Sequence, residues 1–139
     1  MKKVEYNIYQ CGGKNDTIII EDYGTSCKVV KGCEIVVKPG VYFEIMTNFR
    51  SDFCSIPCSK ILKIFGFPKR NEKWDAAGIL HDYLYSGSAV HGTFTRKDAD
   101  LIFRKEAIAH GTSKFKAYVM YIAVRLFGKK SFTTNIIKL

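Results

Sequence analysis

The chain has no long apolar run. Its longest, Ala117 to Phe127, is broken by Arg125 and reaches only about half of the roughly 20 residues a spanning helix needs. A transmembrane segment is therefore not expected. The opening residues Met1-Lys-Lys-Val-Glu-Tyr-Asn7 lack the continuous apolar core of a secretion signal, so a cytoplasmic protein is expected. Cysteines are five and odd in number: Cys11, Cys27, Cys33, Cys54 and Cys58. Without a secretion signal, that favours reduced thiols over a disulfide framework. The spacings of Cys27 to Cys33 and of Cys54 to Cys58 fit zinc knuckles poorly. Repeats, linkers and low-complexity tracts are absent as well.

What is present is an ordinary globular composition. With 139 residues, 47% hydrophobic and 25% charged, the chain suits one domain with a real core. Formal net charge is +9, unevenly placed: residues 1–50 hold seven Lys/Arg against six Asp/Glu, residues 51–139 fifteen against seven. A basic C-terminal half attracts polyanions, among them anionic phospholipid or an acidic protein. Sequence-specific nucleic-acid reading is not expected, because the basic residues are scattered through helical segments without a recognition motif.

Residues 1–50 read as β structure. Val4–Tyr9, Thr17–Glu21, Cys27–Val30, Glu34–Val37 and Tyr42–Met46 are short runs of Val, Ile, Tyr and Thr separated by glycine-containing turns. Val29 to Glu34 suits a hairpin. Residues 51–128 read as α. Ser55-Ile-Pro57 opens a short helix through Ile61, Leu62, Ile64 and Phe65, stopped at Gly66. A second helix spans about Glu72–Tyr85. A third starts at Thr95, where Thr95-Arg-Lys-Asp98 resembles a capping box, and runs to His110-Gly111. Ser113 caps a last helix ending at Gly128, and residues 129–139 read as a loosely held tail. The expected fold is α+β: a small N-terminal antiparallel sheet followed by about four helices, with a central antiparallel helix pair.

That pair carries the chemistry. Asp75, Gly78, Asp82 and Tyr85 recur at helical spacing and share a face beside an apolar stripe, so His81 and Asp82 are expected near the border between core and solvent. Asp100 lies in the next helix, which an antiparallel turn-back brings toward His81. A carboxylate on one ring nitrogen fixes the tautomer and frees the other nitrogen to take a proton from water. Asp82 is then available to a hard cation. Each residue also has a structural alternative. Asp75 sits in a first turn, where a carboxylate favours the helix dipole. Tyr85 suits a core tyrosine, and Asp98 a cap. Asp52, where strands give way to helices, suits either a loop-closing residue or a further carboxylate aimed at His81. His91 and His110 read as isolated surface residues.

Four blocks in order resemble the signature of an uncharacterised domain family common in tailed phages and prophages, the domain of unknown function numbered 1353. They are Ser51-Asp52-Phe-Cys-Ser55-Ile-Pro57, Leu80-His81-Asp82-Tyr-Leu-Tyr85, Arg96-Lys-Asp-Ala99-Asp100-Leu-Ile-Phe103 and Met120-Tyr-Ile-Ala-Val-Arg125-Leu-Phe-Gly128. This resemblance implies a phage protein, at work in the infected cell's cytoplasm or carried in the virion, but no activity. A second resemblance covers Asp75, His81-Asp82, Tyr85 and Ala99-Asp100 with Phe103. It is to secreted phospholipases A2, above all the parvoviral form. It implies His81 as the base, Asp100 as its orienting partner, Tyr85 as a donor to Asp100, and Asp82 as a calcium ligand. The glycine-rich loop that completes the calcium site in those enzymes is missing: residues 64–73 contain one glycine.

Three functions compete. The first is a metal-assisted ester hydrolase, with phospholipid as leading substrate. Lys60, Lys63, Lys69, Arg70 and the basic last helix would dock on an anionic bilayer, with Phe65, Phe67, Phe115 and Phe127 available for insertion. The second is a non-catalytic phage accessory protein, binding a host factor or serving in the virion or tail assembly, in which the same residues form a buried network. The third is a His-Asp phosphohydrolase, which needs more histidine ligands than His91 and His110 supply.

Overall fold

Alternating side chains build the sheets. In the computed structural model, which describes residues 1–9, 16–53, 63–64, 66–68, 70–87, 93–129 and 132, six strands precede three helices. The strands are β1 Lys2–Ile8, β2 Asp16–Asp22, β3 Cys27–Lys31, β4 Glu34–Lys38, β5 Val41–Glu44 and β6 Arg50–Ser51. The helices are α1 Asp75–Tyr85, α2 Arg96–Ala109 and α3 Lys114–Phe127. The fold is α+β, as the order of strand-like and helix-like segments predicts. The helix expected from Ser55 to Phe65 falls largely on residues outside those described, so three helices are seen among the described residues rather than about four.

Two sheets form, not one. β1, β2, β3 and β6 make an antiparallel sheet in that order, and β4 and β5 pair separately. Period-two burial sends Ile18 and Ile20 of β2, Cys27 and Val29 of β3, and Ile35 and Val37 of β4 inward. The hairpin expected over Val29–Glu34 does not form, because β3 and β4 pair with different partners. Gly32 sits at the crossing: the carbonyl oxygen of Ile45 occupies the place a Cβ would take. Ile45 in turn donates its backbone N–H to Cys33 O at 2.8 Å. Only glycine lets the two backbones approach this closely.

The helices stack α1 on α2 and α2 on α3, with α1 also against β1 and β6. Thr112, just past α2, donates to Lys73 O just before α1 at 2.6 Å, while Tyr85 near the end of α1 meets Asp100 near the start of α2. The pair is therefore antiparallel. Arg96 at the start of α2 donates to Val124 O and Arg125 O at the end of α3, so α2 and α3 are antiparallel as well. Thr95 and Asp98 form the expected capping box, and Ser113 caps α3.

Asp82 keeps its expected border position, and His81 does not. Sheet on one side and α2 on the other bury every one of its 11 residues except Asp82, which is half-buried. Ala76, Ala77 and Gly78 keep its neighbours close. Near the chain's end, Phe132 is buried against the rings of Tyr85 and Phe94, although a loose tail is expected there. Of the cysteines, Cys27 and Cys33 lie among the described residues; both are buried and neither is in a disulfide. No helix among the described residues is long and apolar enough to cross a membrane.

Candidate active site

The antiparallel pairing of α1 and α2 brings His81, Tyr85 and Asp100 together. His81 Nε2 lies 2.7 Å from Asp100 Oδ1, and the Tyr85 hydroxyl donates to the same oxygen at 2.6 Å. The other carboxylate oxygen, Oδ2, takes a hydrogen bond from Arg125 Nη1 of α3 at 2.8 Å, with Arg96 Nη1 3.6 Å away. An ionised carboxylate only accepts, so Nε2 carries a proton, and in the neutral ring Nδ1 then carries the lone pair. Among the described residues Nδ1 makes no hydrogen bond, although the side chain is only 2% exposed. Buried polar atoms are nearly always partnered, so this nitrogen calls for an explanation.

Electrostatics lock the arrangement. Burial opposes the charge on Asp100, but the hydrogen bonds from His81, Tyr85 and Arg125 outweigh it. Its carboxyl is held below the usual range. Burial and then Asp100 push the Tyr85 hydroxyl far up, so it acts as a donor and never as a phenolate. The His81 ring is wedged between the rings of Tyr85, 4.1 Å away by centroids, and Phe103, 5.3 Å away.

Asp82 points to a different partner. It accepts from Ser51 Oγ at 2.7 Å, and Ser51 Oγ accepts the backbone N–H of Phe53 at 3.0 Å. Phe53 has φ +68°, a left-handed conformation that is strained for a bulky residue. Asp52 between them is exposed and turned to solvent, so Ser51 is the residue of this block that reaches α1. Among the described residues no three His, Cys, Asp or Glu side chains gather to hold a metal ion. Asp82 alone falls short of the roughly six to eight oxygens that calcium takes.

Asp75 stands apart from His81. It is 4% exposed, and Arg70 grips both its oxygens, with Nε at 3.1 Å and Nη2 at 2.9 Å. Asn71 N–H also bonds it at 3.0 Å, and the Tyr6 hydroxyl reaches it at 3.4 Å. Its role is to tie the start of α1 to the sheet. His110 is not an isolated surface residue either: its Nε2 pairs at 2.8 Å with Glu106, which is fully buried and also accepts Tyr9 N–H. Asp98 acts as a cap and meets Lys38 at 3.2 Å.

Sequence reasoning missed Arg125, Arg96 and Ser51. Arg125 was visible as the one charge in the apolar run Ala117–Phe127, a position that asks for a buried partner. Ser51 carried no such signal.

Residues 27–124 match the family described as Protein of unknown function (DUF1353). The chain belongs to that family. No curated protein and no solved structure matches it. The DUF1353 match runs from the start of β3 into the last turns of α3 and takes in Ser51, His81, Asp82, Tyr85, Arg96 and Asp100. β1 and β2 lie before it, so the outer half of the larger sheet is not part of what defines this DUF1353 chain as a family member.

Proposed function

We propose that this DUF1353 protein is a phage-encoded hydrolase of carboxylic esters in which His81 is the general base. The observation that carries the reading is the Nδ1, unpartnered among the described residues, of a buried imidazole whose Nε2 is held by Asp100. In the reaction Nδ1 takes a proton from water as the water oxygen attacks the ester carbonyl. Asp100, kept ionised by Tyr85 and Arg125, stabilises the imidazolium that forms. The imidazolium then returns its proton to the leaving alkoxide as the C–O bond breaks. The substrate class is phospholipid, supported by the resemblance of the His-Asp helix pair to phospholipases A2 and by the net charge of +9. The phage setting rests on the four resembling blocks. Calcium at Asp82 would need further oxygen ligands, and the steps above use none.

A second reading also has an observation behind it. His81 is 2% exposed and Asp100 is fully buried beneath two arginines, which suits a lock between helices in a non-catalytic accessory or assembly protein that meets an acidic host or phage partner. The phosphohydrolase alternative lacks such support, since His110 is paired with Glu106 toward the other end of α2.

One assay separates the two. Fatty-acid release from phosphatidylglycerol vesicles is measured with calcium and with EDTA, alongside thermal unfolding. General-base loss predicts that His81→Gln lowers the rate by roughly 10²–10⁴-fold with the fold retained. A His81→Gln protein that hydrolyses at the full rate removes His81 from the mechanism. Wild-type protein that is inactive in both conditions, with an unfolding temperature that drops in the variant, favours the lock.

A further inference from the structure

We propose that the outward face of α3 docks on an anionic lipid surface. α3 packs on α2 through Ala117, Met120, Tyr121, Ala123 and Val124, and among the described residues no other element packs on its opposite side. There Phe115 is 75% exposed and Leu126 68%, with Tyr118, Ile122 and Phe127 between and beside them. Ile64, 80% exposed, closes one edge, and together they line a shallow groove of about 530 Å³. Exposed apolar side chains at successive helical turns are not needed for α3's own packing. A contiguous patch of this kind marks an interaction site.

Charge selects the occupant. From residue 107 to the end of the chain there are six Lys/Arg and no Asp or Glu. Lys63, Lys114, Lys116 and Lys129, all exposed, stand beside the apolar residues in sequence at both ends of the face. A second copy of the chain would set these like charges against one another. The groove is lined by carbon and a single tyrosine hydroxyl, so it offers nothing to read a polar partner by. An apolar helix face with lysines around it is the form that lies in the plane of an anionic bilayer. Phe67 and Arg70 contribute less than the sequence suggests. Phe67 is half-buried beside Trp74, and Arg70 is committed to Asp22 and Asp75.

One end of α3 reaches the site. Arg125 of α3 holds Asp100, and a Cβ on Gly128 would lie 2.8 Å from the Tyr85 hydroxyl. For an ester drawn from a membrane this puts one end of the docked helix against the Asp100 that holds His81. That last step rests on the hydrolase reading; docking itself does not.

The test is flotation with vesicles of equal parts phosphatidylglycerol and phosphatidylcholine, and with phosphatidylcholine alone. Wild-type and His81→Gln proteins are expected to float equally with the anionic vesicles and to come off at roughly 0.5 M sodium chloride. Phe115→Asp/Leu126→Asp, at two solvent-facing positions, is expected to bind roughly tenfold more weakly or worse with unchanged thermal unfolding. Equal binding by that variant, or no binding by wild type, overturns the proposal. So does a dimer in solution that the variant breaks, or capture of an acidic amphipathic peptide in place of vesicles. Docking without lipid hydrolysis retains the surface and defeats only the catalytic reading.

Discussion

Asp100 gathers more of the molecule than any other side chain at the site: a histidine and a tyrosine on one oxygen, an arginine on the other. Two of these partners were legible in the sequence. His81 and Tyr85 are four residues apart on one helix, and Asp100 follows on the next, so local periodicity and one turn-back suffice to bring them together. Arg125 was not legible as a partner, because helix spacing says nothing about which residue of a third element will face a buried acid. The carboxyl of Asp100 is held below its usual range, so its stabilising contribution is complete above the unfolded value of about 3.9 and is lost as pH falls through the lower folded value. Asp100→Asn is therefore expected to cost roughly 3–5 kcal/mol near neutral pH, since it leaves Arg125 without its counter-charge. The gap between wild type and variant should close as pH drops below about 4. Urea unfolding across that range measures it; a gap that does not change with pH would show that the carboxylate charge is not what the fold uses.

At the scale of elements, helices were easier to anticipate than sheets. α2 and α3 begin and end at the residues their caps predict, since Thr95, Asp98, Ser113 and Gly128 act on the backbone beside them. The strands were recognisable one by one, but their pairing into separate sheets turns on a contact between Gly32 and Ile45, thirteen residues apart. Alternation of side chains fixes which face is buried and leaves the partner strand open. α1 differs from expectation for a related reason: His81 and Asp82 read as lying at the border of core and solvent, and tertiary partners bury His81 while Asp82 stays half-buried. The end of α3 shows how tightly elements meet at the site. A Cβ at Gly128 would lie 2.8 Å from the Tyr85 hydroxyl and 2.6 Å from Val124 O. Gly128→Ala should cost roughly 1–3 kcal/mol, as overpacking does. The cost should shrink in a Tyr85→Phe background, where one of the two obstructing atoms is gone. Thermal unfolding of the four proteins checks this, and an unchanged cost would mean that Tyr85 yields freely.

Across the whole molecule, the join between the larger sheet and the helices runs through Arg70. Its guanidinium bonds Asp22 of β2 at 2.9 Å, Gly24 O at 2.7 Å and Asp75 of α1 at 2.9 Å, and its carbon lies 3.5 Å over the Phe53 ring. Burial works against its charge, but the bonds to Asp75 and Asp22 raise its affinity for the proton, and the same contacts lower that of Asp22. Because α1 carries His81 and Phe53 follows the Ser51 that meets Asp82, Arg70 sets where the candidate site sits relative to the sheet. Removing it should strand a buried charge: Arg70→Met leaves Asp75, 4% exposed, with only the Tyr6 hydroxyl and the Asn71 N–H, at an expected cost of roughly 3–5 kcal/mol. Asp75→Asn made in the Arg70→Met background should restore part of that loss, since the neutral amide no longer needs a cation. Chemical denaturation of the two single variants and the double variant gives the coupling. Additive losses would mean that Arg70 acts through its stacking on Phe53 and its hold on β2, and that the charge on Asp75 is sustained without it.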